Sequence, residues 1–478
     1  MLRLLEPLGG TRARLLVHLF GFSLLQSVLL KYLEQGSGIV ARNEWEYHVL
    51  AVIALSLAVF GPRLLLLFAA SLWLVLCFLI LLTAQYGVFY FPDAEWTLWL
   101  ALPAGTLASA VAAWIRQPRD DERFRQEVEW SVTRVFRVMA VTTLGLAALH
   151  KLNSDFFNPA VSCMNLRGRL HDWWGVPAAL TDWLGPAGIV AMEGGFCLLL
   201  VVFPPLGVLM VSLLLFEFGS IGAPPFAAIV ATTALAWLSP RDFRALSAAR
   251  RGAFGAWVVL VAGAWAFAAR AFHGSYPLLP ISLFHAQVLG VIVIAAVALR
   301  ARLRGRFSSV GSEHADREGA NPSGRALIYV LTLAALLNGI TPYLGLKFEY
   351  SFAMLSNLRV DDDRWNSLIF PRWMRITAHD PFIHISKVVY RKLATGKRYD
   401  SGGILDPALY SPLMVKYAIQ RALQRGVQVT FDFDYRGHSY HFAGTDDPTK
   451  LYSFIESLPA ETLFQRRLDM GEPQSCAH

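Results

Sequence analysis

A lysine and an aspartate lie four residues apart where a long apolar stretch of the sequence ends. The stretch closes with the residues Gly145-Leu-Ala-Ala-Leu-His150-Lys151-Leu152-Asn153-Ser154-Asp155. Ionisable groups at membrane depth are costly and are kept mainly for function. An amine that is held away from water loses its proton more easily and can then act as a base. Lys151 is therefore a candidate catalytic base, with His150, Asn153 and Asp155 as candidate pocket or substrate-binding residues. The structural alternative is that the Lys151 side chain reaches the membrane surface and pairs with Asp155.

Four more polar residues lie in or next to apolar stretches and are candidate pocket residues. Glu193 and Glu217 lie inside apolar runs, where a carboxylate is usually paired or protonated. Asn357 and Arg359 lie just beyond the last apolar run, where they either fix the junction or face a substrate. The sequence contains no Cys-x-x-Cys pair, and no metal site is predicted.

The elements that must position these residues are membrane-spanning helices. The 478 residues are 55% hydrophobic and only 16% charged, against about 25% charged in globular proteins, and the mean hydropathy is +0.43. The pattern predicts an all-α polytopic membrane helix bundle over residues 1–345, with about eleven spans. The predicted spans are 15–33, 47–61, 63–84, 95–115, 135–152, 184–203, 205–221, 223–239, 253–272, 278–300 and 325–345.

The placement of arginine predicts the orientation of the bundle. Arginines cluster in alternate loops between the apolar runs, which indicates membrane topology rather than binding to nucleic acid. With an odd number of spans, the N-terminus is predicted to be cytoplasmic and the C-terminal region periplasmic or extracellular. A first span that is too long for a cleaved signal core, and a composition rich in alanine and arginine, favour a bacterial inner membrane.

Residues 346–478 are predicted to form a small extracytoplasmic α/β domain. Ser411-Pro412 is typical of a helix start, and Gly426 of its end. Apolar and polar residues alternate over 427–435, which predicts a half-buried strand that turns at Arg436-Gly437-His438 into a second strand over 439–444. A short helix is predicted over 448–458.

The four cysteines divide into two groups. Cys77 and Cys197 lie inside apolar runs and are typical of small buried hydrophobic residues. Cys163 and Cys476 lie outside those runs, and a disulfide between them is possible.

The lysine run resembles the signature of a known family. It reads Ala148-Leu-His150-Lys151-Leu152-Asn153-Ser154-Asp155-Phe156. In the vitamin K-dependent γ-carboxylase family, an alanine- and glycine-rich span ends in a similar Lys-Leu-x-x-Asp-Trp-like run, and the bacterial relatives are grouped as HTTM (horizontally transferred transmembrane) domain proteins. Further similar segments are Glu193-Gly194-Gly195, 216–222, 237–240 and 341–359, so the resemblance covers roughly residues 130–370.

The resemblance implies a reaction and its partners. Lys151 would deprotonate reduced vitamin K, here a menaquinol-like quinol, and oxygen would convert the quinol to an epoxide with release of a strong base. That base would remove a γ-proton from a substrate glutamate, to which carbon dioxide adds. The implied partners are membrane lipid, a quinone and a glutamate-containing substrate. The Trp-Asn-His-like run of the family has no counterpart at the matching distance, where the chain reads Trp96-Thr-Leu-Trp99.

Two other functional classes stay open. One is a small-molecule transporter, although the sequence shows no inverted repeat. The other is a non-catalytic membrane scaffold whose outer domain binds a partner.

Overall fold

The computed structural model describes most of the chain. The described residues are 9–35, 45–83, 93–117, 120–158, 160–163, 185–221, 224–271, 278–304, 322–346, 356–361, 364–376, 382–398, 405–411, 415, 418–419, 422–423, 426–444 and 473.

Eleven α-helices occupy the described part of the chain before residue 341. They are α1 (Thr11–Gln35), α2 (Trp45–Phe60), α3 (Leu64–Thr83), α4 (Asp93–Arg116), α5 (Asp121–His150), α6 (Pro186–Val202), α7 (Pro204–Ile221), α8 (Pro224–Leu235), α9 (Pro240–Ala271), α10 (Leu278–Leu303) and α11 (Pro322–Ile340). Each predicted span coincides with one helix, so the helical fold class is confirmed.

The predicted number of about eleven membrane crossings is not supported. Four of the described helical stretches are long and apolar enough to cross a membrane: Thr97–Arg116, Asp121–His150, Pro240–Ala264 and Leu283–Leu303. Six other apolar stretches have only 10–17 residues. At about 1.5 Å per residue these are shorter than a hydrocarbon core of about 30 Å. The helices are therefore present where the apolar runs predict them, but apolar composition alone does not make each of them a crossing.

Helix α5 begins well before the predicted span at residue 135. Asp120 accepts a hydrogen bond from the backbone N–H of Arg123 at 2.9 Å, and Asp121 and Glu122 occupy the first turn. An N-cap acceptor and acidic residues in the first turn both stabilise a helix start. The residues predicted as a basic loop are thus the first turns of a 30-residue helix.

The charged residues of several helices meet at one end of the bundle, which we call the arginine end. They join the start of α1, the first half of α5, the connection from α8 to α9, and the end of α10. The contacts are Arg12 to Glu129 (3.4 Å) and to the carbonyl of Leu238 (3.1 Å), Arg137 to the carbonyl of Ala236 (2.8 Å), and Arg302 to Asp242 (3.1 Å). The opposite end, where α5 finishes, is called the Lys151 end.

A polar network links side chains in the bundle core. Nε2 of Gln287 on α10 donates to the hydroxyls of Ser23 (2.7 Å) and Thr232 (2.9 Å), on α1 and α8. Both hydroxyls donate to carbonyls of their own helices, so they can only accept from the amide. The carbonyl of Gln287 accepts from Gln26 at 2.7 Å. The network ties α1, α8 and α10 together.

The C-terminal region contains a four-stranded antiparallel sheet. Its strands are β1 (Ile383–Lys392), β2 (Ala408–Tyr410), β3 (Val427–Tyr435) and β4 (His438–Phe442), in the order β2-β1-β3-β4. The predicted hairpin is confirmed as β3 and β4. Arg436 (φ 51°) and Gly437 (φ 79°) form its turn, since positive φ at both central residues suits a two-residue hairpin.

Strand β1 was not predicted because its pattern is interrupted. The register with β3 shifts between Ile385 and Lys387. Such a bulge adds one residue on one strand, so the alternation of buried and exposed side chains breaks there.

Between Ser411 and Gly426, which bound the predicted helix, the structure describes residues 415, 418–419 and 422–423, and all of these are helical. Val415, Ala418, Ile419 and Ala422 are buried against the sheet, as the inner face of one helix should be. The predicted helix over 448–458 lies outside the described residues.

A small apolar cluster joins the sheet region to the Lys151 end of the bundle. It contains Tyr343, Leu358, Val360, Phe382 and Leu409. The sheet therefore stands at the same end of the bundle as the lysine run.

Candidate functional site

Helix α5 ends in a capped turn that fixes the direction of Lys151. Lys151 is the C-cap residue, and its backbone N–H donates to the carbonyls of Ala148 and Leu149. Asn153 then donates from Nδ2 to the carbonyl of His150 at 2.8 Å, and its Oδ1 accepts from the N–H of Phe156 at 2.8 Å. One asparagine thus satisfies an open carbonyl of the helix end and closes the following turn.

The Lys151 amine lies inside the protein, beside a carboxylate of the next helix. Its Nζ is 3.0 Å from Oε2 of Glu193 on α6 and 3.3 Å from the carbonyl of Ala147. Lys151 is only 3% exposed and Glu193 only 2%. The alternative that Lys151 extends to the membrane surface is therefore wrong, because its amine is buried and has a buried partner.

The sequence of α6 turns Glu193 toward α5. The fully buried residues of α6 are Ile189, Glu193 and Leu200, which lie along one stripe of the helix. Cys197 is on the same side and contacts the carbonyl of Val141 of α5 through its sulfur. Glu193 thus occupies a position in an otherwise apolar packing stripe.

The Lys151–Glu193 contact is an ion pair by distance, but Oε2 of Glu193 has no well-aligned hydrogen-bond donor. A buried carboxylate oxygen without such a donor loses favourable energy. The oxygen keeps the capacity to accept a hydrogen bond from a hydroxyl of another molecule.

His150 turns away toward the segment that follows α11. Its Nδ1 lies 2.9 Å from the hydroxyl of Tyr343, and the two rings stack at 5.4 Å. Tyr343 lies beyond the end of α11, and burial raises the pKa of its hydroxyl. The phenol O–H can donate to Nδ1, and a neutral imidazole in that arrangement carries its own proton on Nε2.

Asp155 is held by residues of the junction between bundle and sheet. Its Oδ1 lies 2.8 Å from Nη2 of Arg364, and its Oδ2 accepts from Nδ2 of Asn366 at 2.9 Å. The backbone N–H of Ser154 donates to the carbonyl of Asn366 at 2.9 Å. These contacts clamp the turn after Lys151 onto residues far along the chain.

Asn357 and Arg359 complete that clamp from the other side. Asn357 has a φ of 51°, in the left-handed region that asparagine tolerates better than most residues. Its side chain accepts from the N–H of Cys163 and donates to the carbonyl of Val161, both at 2.8 Å. Arg359 is fully buried against Asp361 at 2.7 Å. In this structure both residues shape the junction, and the substrate-facing alternative stays a prediction.

Residues close in sequence to Lys151 and Glu193 form a small apolar cluster. Phe156, Cys163 and Ile189 form a buried cluster, with Val190 and Met192 packed against it. The Lys151–Glu193 pair is therefore formed by two chain segments that also contribute residues to an apolar cluster.

Cys163 is disulfide-bonded, whereas Cys77 and Cys197 are thiols outside any disulfide. Cys476 lies outside the described residues, so its predicted pairing with Cys163 stays a prediction.

The structure brings together most of the predicted site residues and adds others. His150, Lys151, Asn153, Asp155, Glu193, Asn357 and Arg359 lie in or beside the turn after α5. Glu217 is half-buried on α7, and its assignment to the pocket stays a prediction. Tyr343, Arg364 and Asn366 were not predicted, because no local pattern distinguishes them. Among the described residues, no group of three or more metal-binding side chains is found.

Comparisons with protein families, curated proteins and solved structures found no match to this chain. The resemblance to the γ-carboxylase family therefore remains an expectation from short motifs.

Proposed function

We propose that the chain is an integral membrane enzyme that uses Lys151 as a base on a lipid-soluble quinol, as a vitamin K-dependent carboxylase or epoxidase would. The observation that carries this proposal is the buried ion pair between Lys151 and Glu193 at 3.0 Å. A scaffold has no need for an amine and a carboxylate that are removed from water at such cost.

The pair can present a neutral amine without a large electrostatic cost. In a dry site the shared proton can reside on the nitrogen or on the carboxylate, and the pair has zero net charge in both cases. With the proton on Glu193, the lone pair of the Lys151 amine can accept the proton of a substrate hydroxyl. Once the amine has accepted that proton, the ammonium stabilises the oxyanion that forms beside it.

The residues present are suited to a quinol. Oε2 of Glu193 lacks an aligned donor and can orient a hydroxyl, and Ile189, one turn before Glu193 on the same buried stripe of α6, makes the surroundings of the carboxylate apolar. Reduced vitamin K, or a menaquinol-like compound, would supply the acidic hydroxyl and, with oxygen, the strong base for attack on a glutamate substrate. Burial of the pair keeps water from competing for the proton.

The orientation of the bundle agrees with a site outside the cytoplasm. The arginines at the arginine end favour a cytoplasmic position for that end, and we infer that the Lys151 end faces the other side of the membrane. The disulfide at Cys163 favours an oxidising compartment for the same end. We infer a bacterial inner membrane with the C-terminal region in the periplasm.

The decisive experiment measures quinone epoxide and fixed carbon dioxide. The purified full chain, in lipid nanodiscs, is supplied with reduced menaquinone or reduced vitamin K, oxygen, labelled bicarbonate and a glutamate-containing peptide. We expect Lys151→Ala to lower epoxide formation by at least about 100-fold, which is a typical loss for a general base. The matched control Lys387→Ala, on the exposed face of β1, should leave turnover unchanged.

The variant Lys151→Arg distinguishes the role of Lys151 as a base from its role in the ion pair with Glu193. Arginine keeps a positive charge beside Glu193 but does not give up its proton, so this variant should fold and still lose turnover. An arginine variant as active as the wild type would exclude the lysine base. Absence of epoxide from the wild-type protein with every quinol tested would favour the scaffold or transporter classes.

A further inference from the structure

An apolar loop faces outward beside the Lys151 end of the bundle. It comprises residues 368–376 and contains one short 3₁₀ turn, Arg372–Met374. Trp373 is 81% exposed, Ile376 68% and Leu368 61%. Large apolar side chains that cluster on a surface generally mark a site of contact with another phase or molecule. We call this segment the 368–376 loop.

Both ends of the 368–376 loop are hydrogen-bonded to residues a few positions beyond helix ends. The N–H of Leu368 donates to the carbonyl of Leu152 at 3.0 Å, and the N–H of Ile376 donates to the carbonyl of Leu344 at 3.1 Å. Leu152 follows α5, and Leu344 follows α11. The loop is therefore held at the level at which these two helices end.

The inside of the loop is packed, which leaves its outer side chains oriented outward. Nε1 of Trp365 donates to the carbonyl of Phe370 at 2.7 Å, and the Phe370 ring lies 4.1 Å from that of Tyr343. The exposure of Trp373 and Ile376 is thus a property of an ordered loop and not of a free chain end.

The apolar surface of the loop continues that of α11. Helix α11 packs along α5, which is one of the four helices able to cross a membrane. The large side chains that α11 exposes are Tyr329, Val330, Leu333, Leu336 and Leu337, and Leu346 follows them. A lipid that covers α11 would reach the 368–376 loop at the end of the helix.

The residue types of the loop suit the boundary between lipid tails and headgroups. Tryptophan is enriched at that depth because its ring is apolar and its N–H is polar. Arg372 and Arg375 lie on either side of Trp373 and add positive charge, which anionic headgroups attract.

We propose that the 368–376 loop inserts into the lipid leaflet at the Lys151 end, with Trp373 as its anchor. The occupant of this surface is the bilayer itself. The proposal is independent of catalysis, since an inactive protein would insert the loop in the same way.

The test uses an environment-sensitive fluorophore on a single introduced cysteine. Trp373→Cys is made in a background with Cys77→Ala and Cys197→Ala, labelled, and placed in nanodiscs. Leu393→Cys is the matched control, because Leu393 is also exposed, at 55%, but follows β1 of the sheet. The same background without an introduced cysteine gives the labelling blank.

We expect lipids with a nitroxide near the headgroup to quench the label at 373 several-fold more than the label at 393. Aqueous iodide should quench them in the reverse order. A label at Ile376→Cys should behave as the one at 373. Equal quenching of 373 and 393 by iodide would overturn the proposal, and so would protection of 373 from both quenchers, which would indicate a protein that covers the loop.

Discussion

The two ends of helix α5 hold their charges in different ways. At the arginine end, Asp120 and Arg123 pair in water, with their side chains 44% and 73% exposed, and Arg12 pairs with a Glu129 that is 21% exposed. At the other end, Lys151 and Glu193 pair with side chains only 4% and 2% exposed. The pairs at the arginine end stabilise the starts of helices with little loss of hydration energy. The Lys151–Glu193 pair removes two charges from water, which contributes little net stability and so points to a chemical role.

Among the variants that test this difference between the two ends of α5, Lys151→Met is expected to lose the most unfolding free energy. The variant keeps a long side chain but leaves the Glu193 carboxylate buried without its partner. Removal of one member of a buried ion pair costs about 3–5 kcal/mol. Chemical unfolding of the purified protein in detergent micelles should show this loss.

The double variant Lys151→Met with Glu193→Leu is the control for that result. Replacement of both charges by apolar groups is often close to neutral, so most of the lost stability should return. If the single variant lost no more than an exposed pair does, the two ends of α5 would be equivalent and the comparison would fail.

A smaller effect is expected from Arg12→Met at the arginine end. Arg12 donates to the carbonyl of Leu238 and pairs with Glu129, but Glu129 also accepts from the N–H of Ala13 at 3.0 Å. The remaining partner and partial access to water should limit the loss of unfolding free energy to about 1–2 kcal/mol. Quinol turnover, measured in the same preparation, should not change.

The smallest effect is expected from Arg123→Ala. Its pair with Asp120 is exposed, and the cap formed by Asp120 uses the backbone N–H of Arg123, which alanine retains. The unfolding free energy should stay within about 0.5 kcal/mol of the wild type. A larger loss would mean that surface pairs also contribute to the stability of this bundle.

The sequence allowed the helices and the hairpin to be predicted because their signals are local. Apolar runs and breaks such as Pro204-Pro205 mark the helices, and strict alternation marks β3. The start of α5 was misplaced because its first turns are charged and were taken for a loop. Strand β1 was missed because a bulge interrupts its pattern.

Part of the site was predicted because its signals are also local in the sequence. Lys151 and its neighbours stand out by their position at the end of an apolar run. The structural alternative paired Lys151 with Asp155, on local spacing. The pairs that the structure defines are Lys151 with Glu193 and Asp155 with Arg364, each between separate segments. Contacts between elements depend on packing, which one sequence does not reveal.

The contact between Asp155 and Asn366 has a consequence for folding during synthesis of the protein. The two residues are 211 positions apart. At a synthesis rate of about 5–20 residues per second, roughly 10–40 s pass before the ribosome adds the second residue. Until then, the turn after Lys151 lacks one of the partners that hold it. The turn after Lys151 therefore stays incomplete in the nascent chain while the six helices α6 to α11 are synthesised.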